Sequence, residues 1–212
     1  MKNKIKKNKI YNEDCLDFTA RMPANYFDLT FVDPPSIFGE DNIENIKKYG
    51  NDSMDLVERW IAESFRITKE DGEVFVVTPF LLEKNTSYII KKYGYLTGKI
   101  KWLHPVVKIR EFIEVASNVS KEKFYEEMIE PNYTVKELNQ YNLAINNSQH
   151  YCGAILPEAL TDHIIIKYGR ENGIVYDMFA GSGSFIKSAK KFGMRYVATE
   201  INKEFYKKLN KI

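Results

Sequence analysis

Two hydrophobic runs in this chain of 212 residues each stop at an aspartate. The first, LTFV, passes into Asp33-Pro34-Pro35-Ser36; the second, GIVY, passes into Asp177 and a turn that holds Gly181 and Gly183. Short β-branched and aromatic runs closed by proline or glycine read as strands. A strand that ends in a carboxylate and a tight turn, with a helical pattern next in the chain, is half of a βα unit. Strands joined by helices lie parallel and bring their polar ends to one edge of a sheet, the edge at which open α/β sheets bind ligands.

The alternation runs through the rest of the chain. KIYNED is a short strand ending in acids, and SMDLVERWIAESFRIT sets Leu56, Val57, Trp60, Ile61 and Phe65 at helical spacing. GEVFVVTP is a buried strand closed by Pro79, and LEKNTSYIIKKYG is a helix ending at Gly94. LTGKIKWLHP and EFIEVAS form a later pair of strands. PEALTDHIIIKYG is a helix opened by Pro157, a favoured first-turn residue. SFIKSAKKFG is a helix, RYVATEI a strand and NKEFYKKLNKI a last helix. The pattern predicts a doubly wound, mostly parallel α/β sheet in a single domain over 1–212. Residues 118–149 break the rhythm. They are polar and aromatic, with Tyr125, Tyr133 and Tyr141, and hold no strong strand, so they are the candidate insert or recognition segment.

Composition narrows the class. Hydrophobic residues make up 44% and charged residues 28%, enough apolar matter for a full core and too much for a disordered chain. The net charge of +2 gives no overall signal for a polyanion. The lysines are uneven, however: five fall in the first nine residues, and more crowd the C-terminal part. Such runs are mostly solvated surface and sometimes touch phosphates. No apolar run approaches the ~20 residues of a membrane span, and the basic start lacks the apolar stretch of a secretory signal. Cys15 and Cys152 have no metal-ligand spacing and suit a reducing cytoplasm. With no ligand cluster in the sequence, no metal is expected. His104 and His163 have no expected catalytic role, and His150 precedes the helix that leads to the glycine turn.

The two acid-ended turns suggest different chemistry. Gly181 and Gly183 let the backbone turn sharply against a ligand. Seventeen residues after Gly183 the next strand ends at Glu200, and an acid there can accept hydrogen bonds from ribose hydroxyls. The Asp-Pro-Pro turn is a rigid strand end, because proline fixes φ and has no N–H. Rigid acceptors suit an exocyclic amine, whose lone pair is delocalised into its ring. A carboxylate on one proton and a carbonyl on the other would draw the nitrogen towards tetrahedral geometry for attack on a methyl group. The same acceptors stabilise the charge that develops on nitrogen. A base in a duplex must leave the stack to reach such a site.

Taken together, YNEDCLDFTARMPANYFDLTFVDPPS, HYCGAILPEALTDHIIIKYG, YDMFAGSGSF and VATEI resemble the amino-methyltransferases that use S-adenosylmethionine and modify DNA at adenine N6 or cytosine N4. The order, Asp-Pro-Pro before the glycine turn, resembles the permuted branch of that family. The resemblance implies a seven-stranded, Rossmann-like methyltransferase sheet with one antiparallel strand. It implies that Asp33 and the Pro34 carbonyl bind the target amine, within the catalytic motif completed by Pro35 and Ser36. It implies that Asp177, Phe179, Gly181 and Gly183 line the methionine side of the cofactor, and that Glu200 holds its ribose. Ile201 and Asn202 would lie beside the adenine ring, Asp14 and Cys15 at its edge, and Pro157 over the methionine end. DNA with its target base flipped out is the implied substrate, gripped with the help of a second copy or a specificity subunit.

Two positions depart from the family pattern. Ser36 stands where an aromatic ring usually stacks on the flipped base, a contact worth roughly 1–3 kcal/mol. Leu156 stands where a lysine is frequent. Asp33, rather than serine, at the head of the motif favours adenine N6. The rival readings are a weak or inactive subunit that binds DNA or a partner, and an enzyme of the same fold acting on cytosine N4, RNA or a protein amide.

Overall fold

A computed structural model of the chain describes residues 5–34, 52–78, 83–103, 110–129 and 156–211. Its strands are β1 (Lys9–Tyr11), β2 (Phe27–Val32), β3 (Thr68–Thr78), β4 (Tyr95–Leu103), β5 (Arg110–Ser117), β6 (Tyr125–Ile129), β7 (Ile174–Asp177) and β8 (Arg195–Thr199). They form one sheet in the order β1-β8-β7-β2-β3-β5-β4-β6. Every neighbouring pair is parallel except those of β5, which runs against both β3 and β4. The described helices are α1 (Cys15–Thr19), α2 (Asp52–Ile67), α3 (Glu83–Tyr93), α4 (Glu158–Tyr168), α5 (Ser184–Lys191) and α6 (Lys203–Leu209). The expected doubly wound α/β architecture is therefore present.

The apolar pattern decides which face each helix covers. On one face, α1, α2 and α3 bury Phe18, Trp60, Ile61 and Ile90 against Val74, Val76 and Tyr176. On the other, α4 and α5 bury Leu160, Ile164, Phe185 and Ala189 against Leu29, Phe31, Phe75 and Val175. Helix α6 closes the β1 end, with Leu209 against Ile10 and Ala198. Central β2 is buried at all six positions, as a strand covered on both faces must be. Each large side chain so buried stabilises the fold by about 1.5–3 kcal/mol. The buried Asp28 carboxylate ties β2 to β7, accepting from Ile174 N–H at 2.8 Å while Lys69 sits 2.8 Å from its other oxygen.

The sheet has eight strands, not the seven expected, and the extra one is β6, inside the segment expected to hold no strong strand. Its side chains alternate between half-buried and exposed, and it is an edge strand, so it lacks the apolar run that marks a covered one. What holds it is specific. The Tyr125 ring lies over Gly98 of β4, where any Cβ would collide with it, and its hydroxyl meets that of Tyr168 on α4. Glu127 of β6 reaches Lys167 at 2.8 Å and His163 at 3.3 Å, both on α4. Tyr125 and His163 thus serve packing between an edge strand and a helix. Tyr133 and Tyr141, like His104 and His150, lie outside the described residues.

The winding fixes where a ligand can sit. From β2 the chain crosses through α2 to β3 on one side; from β7 it crosses through α5 to β8 on the other. Adjacent β2 and β7 therefore mark the switch point, beyond whose carboxyl ends lies the crevice in which open α/β sheets bind ligands.

Candidate active site

Four consecutive strands, β1, β8, β7 and β2, end together at this edge. Tyr11 pairs with Thr199, Ala198 with Asp177, and Asp177 with Phe31. The segments that follow these strands, 12–15, 200–202, 178–183 and 33–34, thus leave the sheet side by side. With Asp177 itself at the end of β7, they contain every described residue that the sequence assigned to the site except Pro157. Pro35 and Ser36 lie outside the described residues.

The glycine turn is clamped to the tip of β8. Asp177 Oδ1 accepts from Phe179 N–H at 3.2 Å, Ala180 N–H donates to the Thr199 carbonyl at 2.9 Å, and Gly181 N–H donates to Glu200 Oε2 at 2.9 Å. The chain then turns through Gly181 at φ 48° and Gly183 at φ 77°, a region in which a residue with a Cβ is strained. Gly183 caps α5 without a side chain of its own, so bare backbone faces the crevice there. Beneath the turn the buried Tyr176 hydroxyl meets Thr199 Oγ1 at 2.9 Å, and Thr199 Oγ1 donates to the Met178 carbonyl at 2.7 Å.

Glu200 is 8% exposed and is held on both oxygens. Gly181 N–H takes Oε2, and Asn202 N–H takes Oε1 at 2.7 Å. A carboxylate has about four lone-pair sites, so two remain beyond these bonds. Asn12, which no sequence pattern marks, supports this tip from β1: its Nδ2 donates to the Glu200 carbonyl at 2.7 Å and the Ile201 carbonyl at 3.2 Å. Ile201 itself is 68% exposed, an uncovered apolar side chain next to a fixed acid. Asn202 Oδ1 caps α6 by accepting from Glu204 and Phe205 N–H.

The Asp177 carboxyl is pushed up to about 7, first by burial and then by the Glu200 charge; the Phe179 N–H opposes both. Two buried acids on neighbouring strand tips make this end of the crevice a place for positive charge.

On the β1 side, Asp14 Oδ1 caps α1 by accepting from Leu16 N–H at 2.7 Å and Asp17 N–H at 3.3 Å. Cys15 is 4% exposed and packs in the core. Its thiol is pushed up to about 12, mainly by burial and next by Asp14, so it is neither a nucleophile nor a surface group. On the β2 side, Asp33 and Pro34 are half-buried and stand directly after the strand end. Just below them the Phe31 carbonyl accepts from Met178 N–H at 3.1 Å, locking the two tips together. Trp60 of α2, whose helical spacing predicts a core residue, lies edge-on to Phe179 with ring centroids 4.9 Å apart. Nothing in helical spacing separates a core tryptophan from one that supports the site wall. Pro157 is buried and caps α4. That helix packs beside α5 through Thr161 Oγ1 and Ser188 Oγ at 2.7 Å. Among the described residues no group of three or more His, Cys, Asp or Glu could hold a metal, and no helix is long and apolar enough to cross a membrane.

The fold is that of the doubly wound methyltransferases. The crystal structure of the M1.HpyAVI–SAM complex superposes with a TM-score of 0.65, covering 96% of this chain and 97% of that one at 18% identity. The sequence profile of a DNA methylase family, that of the N6/N4 methyltransferases, matches residues 27–211. The chain belongs to this family. The type II methyltransferase M.HpaI of Haemophilus parainfluenzae is 25% identical over 218 aligned residues, covering 87% of this chain and 67% of that protein. The DNA adenine methyltransferase YhdJ of Escherichia coli strain K12 is 24% identical over 247, covering 93% and 80%.

Proposed function

We propose that this chain transfers the methyl group of S-adenosylmethionine to the exocyclic N6 amine of an adenine flipped out of DNA. The cofactor is S-adenosylmethionine; when bound, it supplies an electrophilic methyl on a positively charged sulfur. The residues at the crevice fit it. Asp177 and Glu200 offer negative charge to a cation, Glu200 keeps two lone-pair sites for the ribose hydroxyls, and exposed Ile201, beside Asn202, offers an apolar wall to the adenine ring. Bare backbone at Gly181 and Gly183, with Phe179 and Pro157, takes the methionine end, and Asp14 with the backbone of Cys15 takes the adenine edge.

Asp33 and the Pro34 carbonyl would then each accept one proton of the target amine. That pulls the nitrogen lone pair out of conjugation and turns it towards the donor. As the new C–N bond forms and the S–C bond breaks, Asp33 balances the charge growing on nitrogen. The methylated amine is acidic enough to lose its extra proton to water, so no further base is needed. Ser36 supplies no ring to stack on the base.

The observation that carries this reading is the pairing of Phe31 with Asp177, which sets the tip bearing Asp33 next to the tip bearing the glycine turn. The acid at the head of the motif favours adenine, and the YhdJ relative is an adenine methyltransferase; cytosine N4 is the second reading. The enzyme is read as one domain over 1–212, a member of the permuted branch, with 118–149 as its recognition segment and a second copy or specificity subunit completing the grip on DNA. The test is digestion and mass spectrometry of DNA from cells that express the chain. N6-methyladenine supports the proposal and N4-methylcytosine selects the second reading. Neither base, despite tight cofactor binding, sinks both.

A further inference from the structure

We infer that the flank formed by β1, α5 and α6 is a second DNA-binding surface that grips duplex phosphates beside the crevice. The inference rests on the reading of the chain as a DNA methyltransferase and adds a surface to it. Residues 184–211 hold eight lysines or arginines and two glutamates, a surplus of six positive charges in a chain whose total is +2. The remaining residues are therefore negative in sum, and the positive charge is concentrated rather than spread for solubility. The elements that carry it are contiguous. Ile186 of α5, Leu209 of α6 and Ile10 of β1 share one core cluster with Ala198, so α5 and α6 lie together on the β1 end of the sheet. The exposed Lys6 and Lys7 precede β1 on the same flank, at the amino edge of the sheet.

The spacing on α6 points the same way. Lys203, Lys207 and Lys211 recur every fourth residue and are all exposed. Like charges four apart oppose helix formation, so the Lys203–Lys207 pair is a burden that an anion would relieve; Lys211 follows just past the helix end at Leu209. Lys207 has one partner on its own helix, Glu204 at 2.8 Å, with both side chains more than two-thirds exposed. Among the described residues, no ion pair engages Lys203 or Lys211. Helix α6 starts at the carboxyl edge of the sheet, directly after Asn202, so Lys203 is the lysine of this series nearest the crevice. Of the two glutamates in 184–211, Glu200 is buried and Glu204 exposed; on α5, Lys191 is paired with Glu158 and Asp162 of α4, so the unneutralised charge lies mainly on α6.

The test compares the full chain with a Lys203→Gln/Lys207→Gln/Lys211→Gln variant and an all-arginine counterpart. Binding of a mixed-sequence DNA duplex is followed by fluorescence anisotropy across salt concentration, and S-adenosylmethionine binding by titration calorimetry. The glutamine variant should bind duplex more weakly at low salt. Its plot of log affinity against log salt should be shallower by about 0.9 for each phosphate that the missing lysines no longer neutralise. The arginine variant should match the wild type, and cofactor affinity should be the same in all three. A glutamine variant with the wild-type slope overturns the flank proposal while leaving the methyltransferase reading in place. A wild type that binds cofactor but no duplex overturns both. Capture by phosphatidylglycerol vesicles in preference to duplex would assign the flank to a lipid surface and overturn it as well.

Discussion

Gly181 N–H and Glu200 Oε2 stand 2.9 Å apart, joining the turn after one strand to the acid after the next. The acid thus holds the turn, and the turn aims the acid. Glu200→Gln keeps the size but turns one acceptor into a donor, which must face the N–H of Gly181 or of Asn202. Losing a hydrogen bond to a charged group costs about 1.5–3 kcal/mol, so S-adenosylmethionine affinity should fall roughly tenfold to a hundredfold. Titration calorimetry measures it; affinity within twofold of wild type would remove Glu200 from the cofactor site.

Asp33→Ala should separate chemistry from cofactor binding. Methyl transfer should drop by about a hundredfold or more, the usual loss when a preorganised group at a developing charge is removed. S-adenosylmethionine affinity should stay within about twofold, since the role proposed for Asp33 is towards the target amine and not the cofactor. A radiolabelled methyl-transfer assay beside the same titration reads both, and unchanged turnover would refute the role.

Asp177 makes stability depend on pH. Its carboxyl is raised from 3.8 to about 7, so the folded state prefers the protonated form. That contribution is complete below the unfolded value and is lost as pH rises from about 4 through 7, at up to roughly 1.4 kcal/mol per pH unit for one proton. Asp177→Asn should flatten the fall over this window, as read from urea midpoints at pH 4.5, 6 and 7.5. A cationic ligand prefers the ionised acid, so cofactor binding should weaken as pH drops below about 7 and should release a proton, visible in buffers of different ionisation enthalpy. Equal slopes for wild type and variant would show that Asp177 is not the titrating group.

Gly98 and Tyr125 should be coupled. A Cβ at Gly98 meets the Tyr125 ring, and overpacking of this kind costs about 1–3 kcal/mol. Gly98→Ala alone should destabilise by that much. The Gly98→Ala/Tyr125→Ala double variant should be destabilised by less than the two single variants combined, by chemical denaturation. Strict additivity would mean that β6 is not seated on that glycine.

The fold was legible because apolar periodicity reports what a covered element must bury, as β2 and α2 show. β6 escaped because an edge strand held by Tyr125 and by the ion pairs of Glu126 with Lys101 and Glu127 with Lys167 buries little. At the site, the acid-ended turns at Asp33 and Asp177 and the acid after the next strand, Glu200, were readable, since acids at strand ends have few structural reasons to be there. Asp14 and Cys15 were less so: one caps a helix and the other fills the core, and the residue types alone do not say which. Asn12 carries no pattern at all; its importance comes from two carbonyls just past the end of a strand, the nearer one 188 residues further along.

That amide has a bearing on how the protein can be cut. The family profile begins at Phe27, yet Asn12 and the outermost strand precede it and brace the acid at the far end of the polypeptide. A version trimmed to the profile would keep both acid-ended turns and every lysine of α6, while stripping the scaffolding from beneath Glu200.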